Sequence, residues 1–204
     1  MMSTWRETLF QAVSPLESGV SGLQVKGYRP PGGEDFFRPG KTAAVLVALL
    51  DLPDPEVVLT RRADHLPQHP GQVSFPGGAA EQSDSSAVQT ALREAHEEIG
   101  LSALITTPIG FLDRMDTISD YRVLPVVALV EPPVVWKPDH SEVAEVFTVP
   151  LSVLLDESRY NVRHVQHDGA EHIIWSIPYE GHNIWGATAA ILVNLMKRMR
   201  SVHA

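Results

Sequence analysis

Gly77-Gly78-Ala79-Ala80-Glu81-Gln82-Ser83-Asp84-Ser85-Ser86 followed by Ala87-Val88-Gln89-Thr90-Ala91-Leu92-Arg93-Glu94-Ala95-His96-Glu97-Glu98-Ile99-Gly100 joins a glycine turn, a polar loop and a short helix in one run. Val88, Ala91, Leu92, Ala95 and Ile99 recur at three- and four-residue intervals, the period of an amphipathic helix, and this groups Glu94, Glu97 and Glu98 on another face. Asp84, Ser85 and Ser86 offer N-caps, Ser86 with Gln89 fits a capping box, and Gly100 stands where a left-handed C-cap belongs. Like charges at these spacings destabilise a helix by roughly 0.2–0.5 kcal/mol per pair, and Arg93 is placed to relieve Glu97 alone. A carboxylate cluster that helix stability does not favour suits a hard divalent cation, Mg²⁺ or Mn²⁺, which bridges to substrate phosphates.

An acidic helix face is ordinarily just solvated, so the wider pattern has to decide. Arg93-Glu94-Ala95-His96-Glu97-Glu98-Ile99-Gly100-Leu101 resembles the second half of the Nudix box at every defined position. The family pattern opens with Gly, five residues and Glu, then seven residues before the Arg; here Gly78 is followed at that distance by Asp84, and eight residues separate Asp84 from Arg93. An Asp with a longer spacer resembles the coenzyme A pyrophosphatase branch of the Nudix hydrolases. Leu59-Thr60-Arg61-Arg62-Ala63, Leu66, His69, Gly71-Gln72-Val73 and Phe75-Pro76-Gly77-Gly78 are similar to that branch's additional motif, although Pro67 stands where the branch commonly carries Arg.

The resemblance implies an α/β fold, a Nudix-type α/β/α sandwich with a mixed β-sheet, occupying residues 41–204 behind an N-terminal helical and extended segment at 1–40. It implies Glu94, Glu97, Glu98 and the Gly78 carbonyl as metal ligands, with Arg93 orienting a neighbouring glutamate. Arg61, Arg62, His69 and Gln72 become the substrate-binding candidates. The general base is left open among Glu98, Glu142 and Glu145. The implied reaction is metal-dependent substitution at phosphorus in coenzyme A or acyl-CoA, releasing 3'-phospho-AMP and (acyl)phosphopantetheine. The rivals are a pyrophosphatase for ADP-ribose, dinucleotides or nucleoside triphosphates, and a silent nucleotide-sensing module, which would ordinarily lack box glutamates.

Outside the motif, Thr42 to Leu50, Glu56 to Arg62, Val73 to Phe75, Ile105 to Ile118, Arg122 to Val130 and Val143 to Val149 read as strands. Leu151 to Leu155 reads as a helical turn. Asn161 to Gln166 and Glu171 to Pro178 form a hairpin about His167-Asp168-Gly169, and Ile184 to Arg200 is a closing helix. Tyr28 to Lys41 is a Pro- and Gly-rich linker. A helix at about Thr4 to Val13 is expected to pack on the main body or on a second subunit in a homodimer. Ile184-Trp185-Gly186-Ala187-Thr188 also resembles a stretch of the branch, with Trp185 expected in core or dimer packing.

Composition sets outer bounds. A chain of 204 residues with 44% hydrophobic and 20% charged residues suits one globular domain with extensions. It contains no cysteine, which excludes disulfides and thiolate chemistry and allows a reducing cytoplasm, the expected location. No apolar run is long enough to span a bilayer, and Met1 to Glu7 shows no apolar h-region, so a soluble, unexported protein is expected. A net charge of −9 argues against broad nucleic-acid binding yet leaves a small anionic nucleotide as partner, with Arg61, Arg62 or Arg114 assisting the cation. The nine histidines show no zinc-protease spacing, since His96-Glu97-Glu98 lacks the second His four residues on.

Glu97→Gln and Glu98→Gln are each expected to abolish turnover while preserving the fold, because each removes one charge from a surface cluster. Steady-state rates beside circular dichroism check this, and near-native rates in both variants would dismiss the metal assignment.

Overall fold

The computed structural model describes residues 4–16, 41–117, 121–167 and 170–202. Among these residues, eleven strands and four α-helices follow one another as α1 (Thr4–Ala12), β1 (Lys41–Leu50), β2 (Glu56–Arg62), β3 (Val73–Ser74), β4 (Gly77–Ala79), α2 (Ala87–Ile99), β5 (Thr106–Phe111), β6 (Met115–Asp116), β7 (Tyr121–Val130), β8 (Val143–Pro150), α3 (Leu151–Leu154), β9 (Asn161–His167), β10 (Ala170–Tyr179), β11 (His182–Trp185) and α4 (Gly186–Ser201). The expected linker and the Asp168-Gly169 turn lie outside the described residues, apart from Lys41.

β1 is an unbroken apolar run because both its faces are covered. Ala44, Leu46 and Ala48 belong to the core under α2, whereas Val47 and Leu49 belong to a second core under α4. β7 alternates the same way, with Leu124, Val126, Ala128 and Val130 on the α2 side and Val127 on the other. The two strands run parallel over all ten residues of each, from Lys41 opposite Tyr121 to Leu50 opposite Val130. β2, β4, β5, β6 and β8 add antiparallel pairs, which makes the sheet mixed. Helices cover both faces, so the α/β/α sandwich expected from sequence is the observed architecture.

β4 is the part of this sheet that matters for chemistry. Gly77 and Gly78 lie opposite Val45 and Ala44, and a Cβ at Gly77 would come within 2.4 Å of the Ala44 carbonyl oxygen. Glycine there lets the turn press against β1 and meet α2 directly. On the far face, α1 packs on α4 of its own chain: Leu9 is fully buried, and Arg198 donates to the Ala12 carbonyl at 2.6 Å and to Asp113 at 2.8 Å.

Three expectations need correction. The stretch from Ile105 is not one strand but a 3-10 turn at Ala103–Ile105 followed by β5 and β6, with Leu112 to Arg114 between them; Ile118 lies outside the described residues. The closing helix starts at Gly186, because Ile184 and Trp185 complete β11 against Ile177 and Ser176. Trp185 is the N-cap position of α4 and is 41% exposed rather than part of the core. β11 exists because Glu180 and Gly181 both take positive φ, 45° and 83°, the two-residue turn that matches hairpin twist.

Leu46→Ala should cost about 2–5 kcal/mol, since it opens a cavity under α2 at a fully buried position. Leu104→Ala, at a side chain 96% exposed, should stay within about 0.5 kcal/mol. Urea unfolding of both variants compares the two.

Candidate metal and phosphate site

Ser86 caps α2 by accepting from the Gln89 N–H at 3.2 Å, and Gly100 ends the helix in the left-handed region at φ 68°. The reciprocal bond of the capping box is displaced by one residue: Gln89 accepts from the backbone and hydroxyl of Ser85, both at 2.7 Å. Thus fixed at both ends, α2 carries its glutamates beneath the β4 turn.

Arg93 organises them. Its Nε and Nη2 fork onto the two carboxylate oxygens of Asp84 at 3.1 and 3.0 Å, Nη2 also donates to the Ala79 carbonyl at 3.0 Å, and Nη1 reaches Glu94 and Glu97 at 2.9 Å each. The expectation that Arg93 would relieve Glu97 alone is therefore corrected. The Asp84 side chain, 2% exposed, also accepts from Thr90 and from the Glu81 N–H. Its carboxyl is held well below the usual range, chiefly by the Arg93 hydrogen bond, and the Arg93 guanidinium is held correspondingly high by Asp84.

The three glutamates differ in environment. Glu97 is exposed. Glu94 is partly buried, and a Cβ on Gly78 would sit 2.5 Å from its carboxyl carbon, so the Gly78 backbone and the Glu94 carboxylate border one small space. Burial pushes the Glu94 carboxyl up against the opposing pull of Arg93. Glu98 is only 6% exposed and accepts from the Gly77 N–H at 3.1 Å. Burial drives its carboxyl up to about 8, with Glu94 and Glu142 adding repulsion and Gly77 and Arg62 pulling the other way. The description of Glu98 as a member of an exposed cluster is thus wrong. The signal was present, since Glu98 falls three residues after Ala95 and seven after Ala91 on the buried stripe.

A β-bulge sorts the remaining candidates. β2 and β8 pair Arg61 with Glu145, then Arg62 with Val143, so one extra residue, Ala144, separates the two pairs on β8. Arg61 and Glu145 share the face of Leu59 and Phe147, away from α2, while Val143 belongs to the core under α2. Arg61 is occupied by Asp64 at 2.8 Å and Glu145 at 3.6 Å, and Glu145 lies 3.6 Å from His182 Nε2, whose ring stacks on Phe147. Arg62 acts electrostatically on Glu98 instead, and its Nε is buried without a hydrogen-bond partner. Glu142 likewise acts on Glu94 and Glu98.

The loop between β2 and β3 holds His69 at φ 55°, exposed, and Gly71 at φ 67°. Gln72 ties the loop down through its carbonyl, which accepts from the Arg62 N–H at 2.9 Å. Arg114 pairs with Asp116.

The donor types suit a hard divalent ion, because all are carboxylate or carbonyl oxygens beside a glycine that leaves room for one. Among the described residues, no three His, Asp or Glu side chains converge closely enough to cage an ion as they stand. Glu94 and Glu97 are turned to Arg93 and Glu98 to Gly77, so ligation requires these side chains to reorient.

A mixed-sheet α/β/α sandwich with a carboxylate-bearing helix behind a glycine turn defines a class of phosphoanhydride hydrolase, and comparison with known proteins agrees. A family model described as NUDIX domain matches residues 40–167. A protein named "Uncharacterized Nudix hydrolase NudL" from Enterobacter sp. (strain 638) is 41% identical over 167 residues, covering 82% of this chain and 86% of the relative. Its namesake from Yersinia pestis (strain Pestoides F) is 40% identical over 164 residues, covering 80% and 82%. Among solved structures, the MutT protein from Methanosarcina mazei Go1 superposes with a TM-score of 0.52 at 17% identity, over 81% of this chain and 96% of that one, a likeness of fold alone. The chain belongs to the Nudix hydrolase family and is a pyrophosphohydrolase of small nucleotide derivatives, a class that generally uses divalent metal ions. Among the described residues no helix is long and apolar enough to cross a membrane.

In EDTA the buried Glu98 should make stability fall with rising pH. Burial raises its carboxyl to about 8 in the folded state, whereas the unfolded chain releases the proton near the ordinary glutamate value of 4.5. The folded form thus binds more protons between those limits and loses up to about 1.4 kcal/mol per pH unit there. Asp84, shifted the other way, acts only at more acid pH. Urea unfolding from pH 5.5 to 8.5 should show the fall in wild type and a flatter profile in Glu98→Gln.

Proposed function

We propose that the protein hydrolyses the pyrophosphate linkage of coenzyme A or acyl-CoA, yielding 3'-phospho-AMP and (acyl)phosphopantetheine. One observation supports an anionic phosphate beside the glutamates above the rest: Arg62 keeps a buried Nε without a hydrogen-bond partner and acts electrostatically on Glu98, while its neighbour Arg61 is already matched by two carboxylates. A phosphate oxygen is the acceptor this guanidinium lacks. The choice of coenzyme A rests on the sequence resemblance across Leu59 to Gly78, whose residues occupy β2, the following loop, β3 and β4.

In this reading Glu94, Glu97, Glu98 and the Gly78 carbonyl hold Mg²⁺ or Mn²⁺, which supplies positive charge to the pyrophosphate oxygens when bound. Arg93, fixed on Asp84, keeps Glu94 and Glu97 within reach of that position. Arg62 binds a phosphate oxygen, with His69 and Gln72 on the adjoining loop as further substrate contacts. Glu142 takes the proton of the attacking water; the new bond forms at one phosphorus, the bridging P–O bond breaks, and the other phosphate leaves with the bond's electron pair. Glu145 is the poorer base in this arrangement, since it faces away from α2 and is shared between Arg61 and His182.

Products from coenzyme A, ADP-ribose, NADH and dATP, each with Mg²⁺, Mn²⁺ or EDTA, are to be weighed by mass spectrometry. Metal-dependent release of phosphopantetheine is expected. Cleavage of another substrate alone would discard coenzyme A and keep the hydrolase; ligand binding without turnover would favour a sensing module.

A further inference from the structure

The turn that carries Glu142 is stitched to the end of the glutamate helix. Lys137 N–H donates to the Ile99 carbonyl and Asp139 N–H to the Glu98 carbonyl, both at 2.9 Å, so two carbonyls from the last turn of α2 are satisfied by this segment. Asp139 then folds the turn back on itself. Its carbonyl accepts from the N–H groups of Glu142 at 2.9 Å and Val143 at 2.8 Å, and its Oδ1 accepts from the Ser141 N–H at 2.9 Å and the Ser141 hydroxyl at 2.7 Å. On the other side, the Glu142 carbonyl accepts from Ala63 N–H at 2.8 Å, and the Ser141 carbonyl lies 3.1 Å from His65 Nε2. Glu142 is thereby suspended between the helix that bears Glu98 and the loop that follows Arg62.

We infer that Asp139 is a positioning residue, whose side-chain turn with Ser141 holds the Glu142 carboxylate beside Glu94 and Glu98 for proton transfer. A side-chain oxygen that accepts from the backbone two residues on is a local substitute for a backbone turn, and it requires an acceptor rather than a charge. Asn at this position keeps that acceptor and Ala does not. A general base works only within hydrogen-bond reach of the proton it takes, so loosening the turn should slow the chemical step and leave substrate binding unchanged.

The inference rests on Glu142 as the base, and the test separates the two. Steady-state constants are measured with Mg²⁺ on whichever of coenzyme A, ADP-ribose, NADH and dATP is cleaved fastest, for D139A, D139N, E142Q and the double variant D139A/E142Q. E142Q should lower kcat by ~100-fold or more. D139A should lower kcat about tenfold with KM unchanged, and D139N should recover most of it. The double variant should be no slower than E142Q, because residues acting through one group are not additive. Should D139A fail to fold, S141A, which removes one of the two donors to Asp139, should lower kcat in the same direction by less. A rate loss that D139N shares with D139A, or a double variant slower by the product of the single losses, overturns the positioning role. Wild-type kcat in E142Q overturns the base itself.

Discussion

The fork between Arg93 and Asp84 is the interaction on which the site depends. Asp84 lies in the loop that leaves β4 and Arg93 lies midway along α2, so their two hydrogen bonds join that loop to the helix across its first two turns. With its Nε and Nη2 fixed, the remaining arm of the guanidinium has one direction to point, and it meets Glu94 and Glu97. A lysine would not reproduce this, because an ammonium is a point charge and the geometry needs a planar group with donors on three sides. The shorter Asp, in place of the family's Glu, reaches Arg93 from a loop that is one residue longer.

One inserted residue decides which charges face the glutamates. Without the bulge at Ala144, strict alternation would carry the β8 side chains in step with β2 beyond the Arg61–Glu145 pair. With it, Val143 is paired to Arg62 and Glu142 follows into the turn beside α2. The consequence is a division of the two adjacent arginines. Arg61 becomes part of a charged chain with Asp64, Glu145 and His182 on the far face, and Arg62 retains a donor without an acceptor near Glu98.

That division also marks the limit of what could be read in advance. α2 was legible because its apolar spacing and Gly100 agree, with its N-cap left open among Asp84, Ser85 and Ser86, and the runs of β1 and β7 were legible because both are buried on two faces. The bulge leaves no mark in composition: Ala144 is an ordinary strand residue, and pairing register is a property of two segments eighty residues apart. The Glu180-Gly181 turn was missed because Glu is an unusual occupant of positive φ, so β11 was read as the start of a helix. Among the site residues, the grouping of Glu94, Glu97 and Glu98 was foreseen, but their separation into exposed, half-buried and buried members depends on where β4 lies over the helix.

The burial of Glu98 shows how the pieces act together. A carboxylate under a sheet is unfavourable on its own, and the protein offers it one backbone N–H and the distant charge of Arg62 while placing Glu94 and Glu142 nearby. The fold therefore carries an electrostatic conflict at this point that hydrophobic packing on either side of β1 must outweigh. On the proposed reading, a divalent cation held by Glu94 and Glu98 would offset the repulsion between these carboxylates and favour the ionised form of Glu98. Stability in the cation-free protein and affinity for the cation are thus opposed, and the same burial that disfavours the bare carboxylate strengthens its attraction to a bound ion. This accounts for acids concentrated at the one point of the sheet where glycine leaves room beside them.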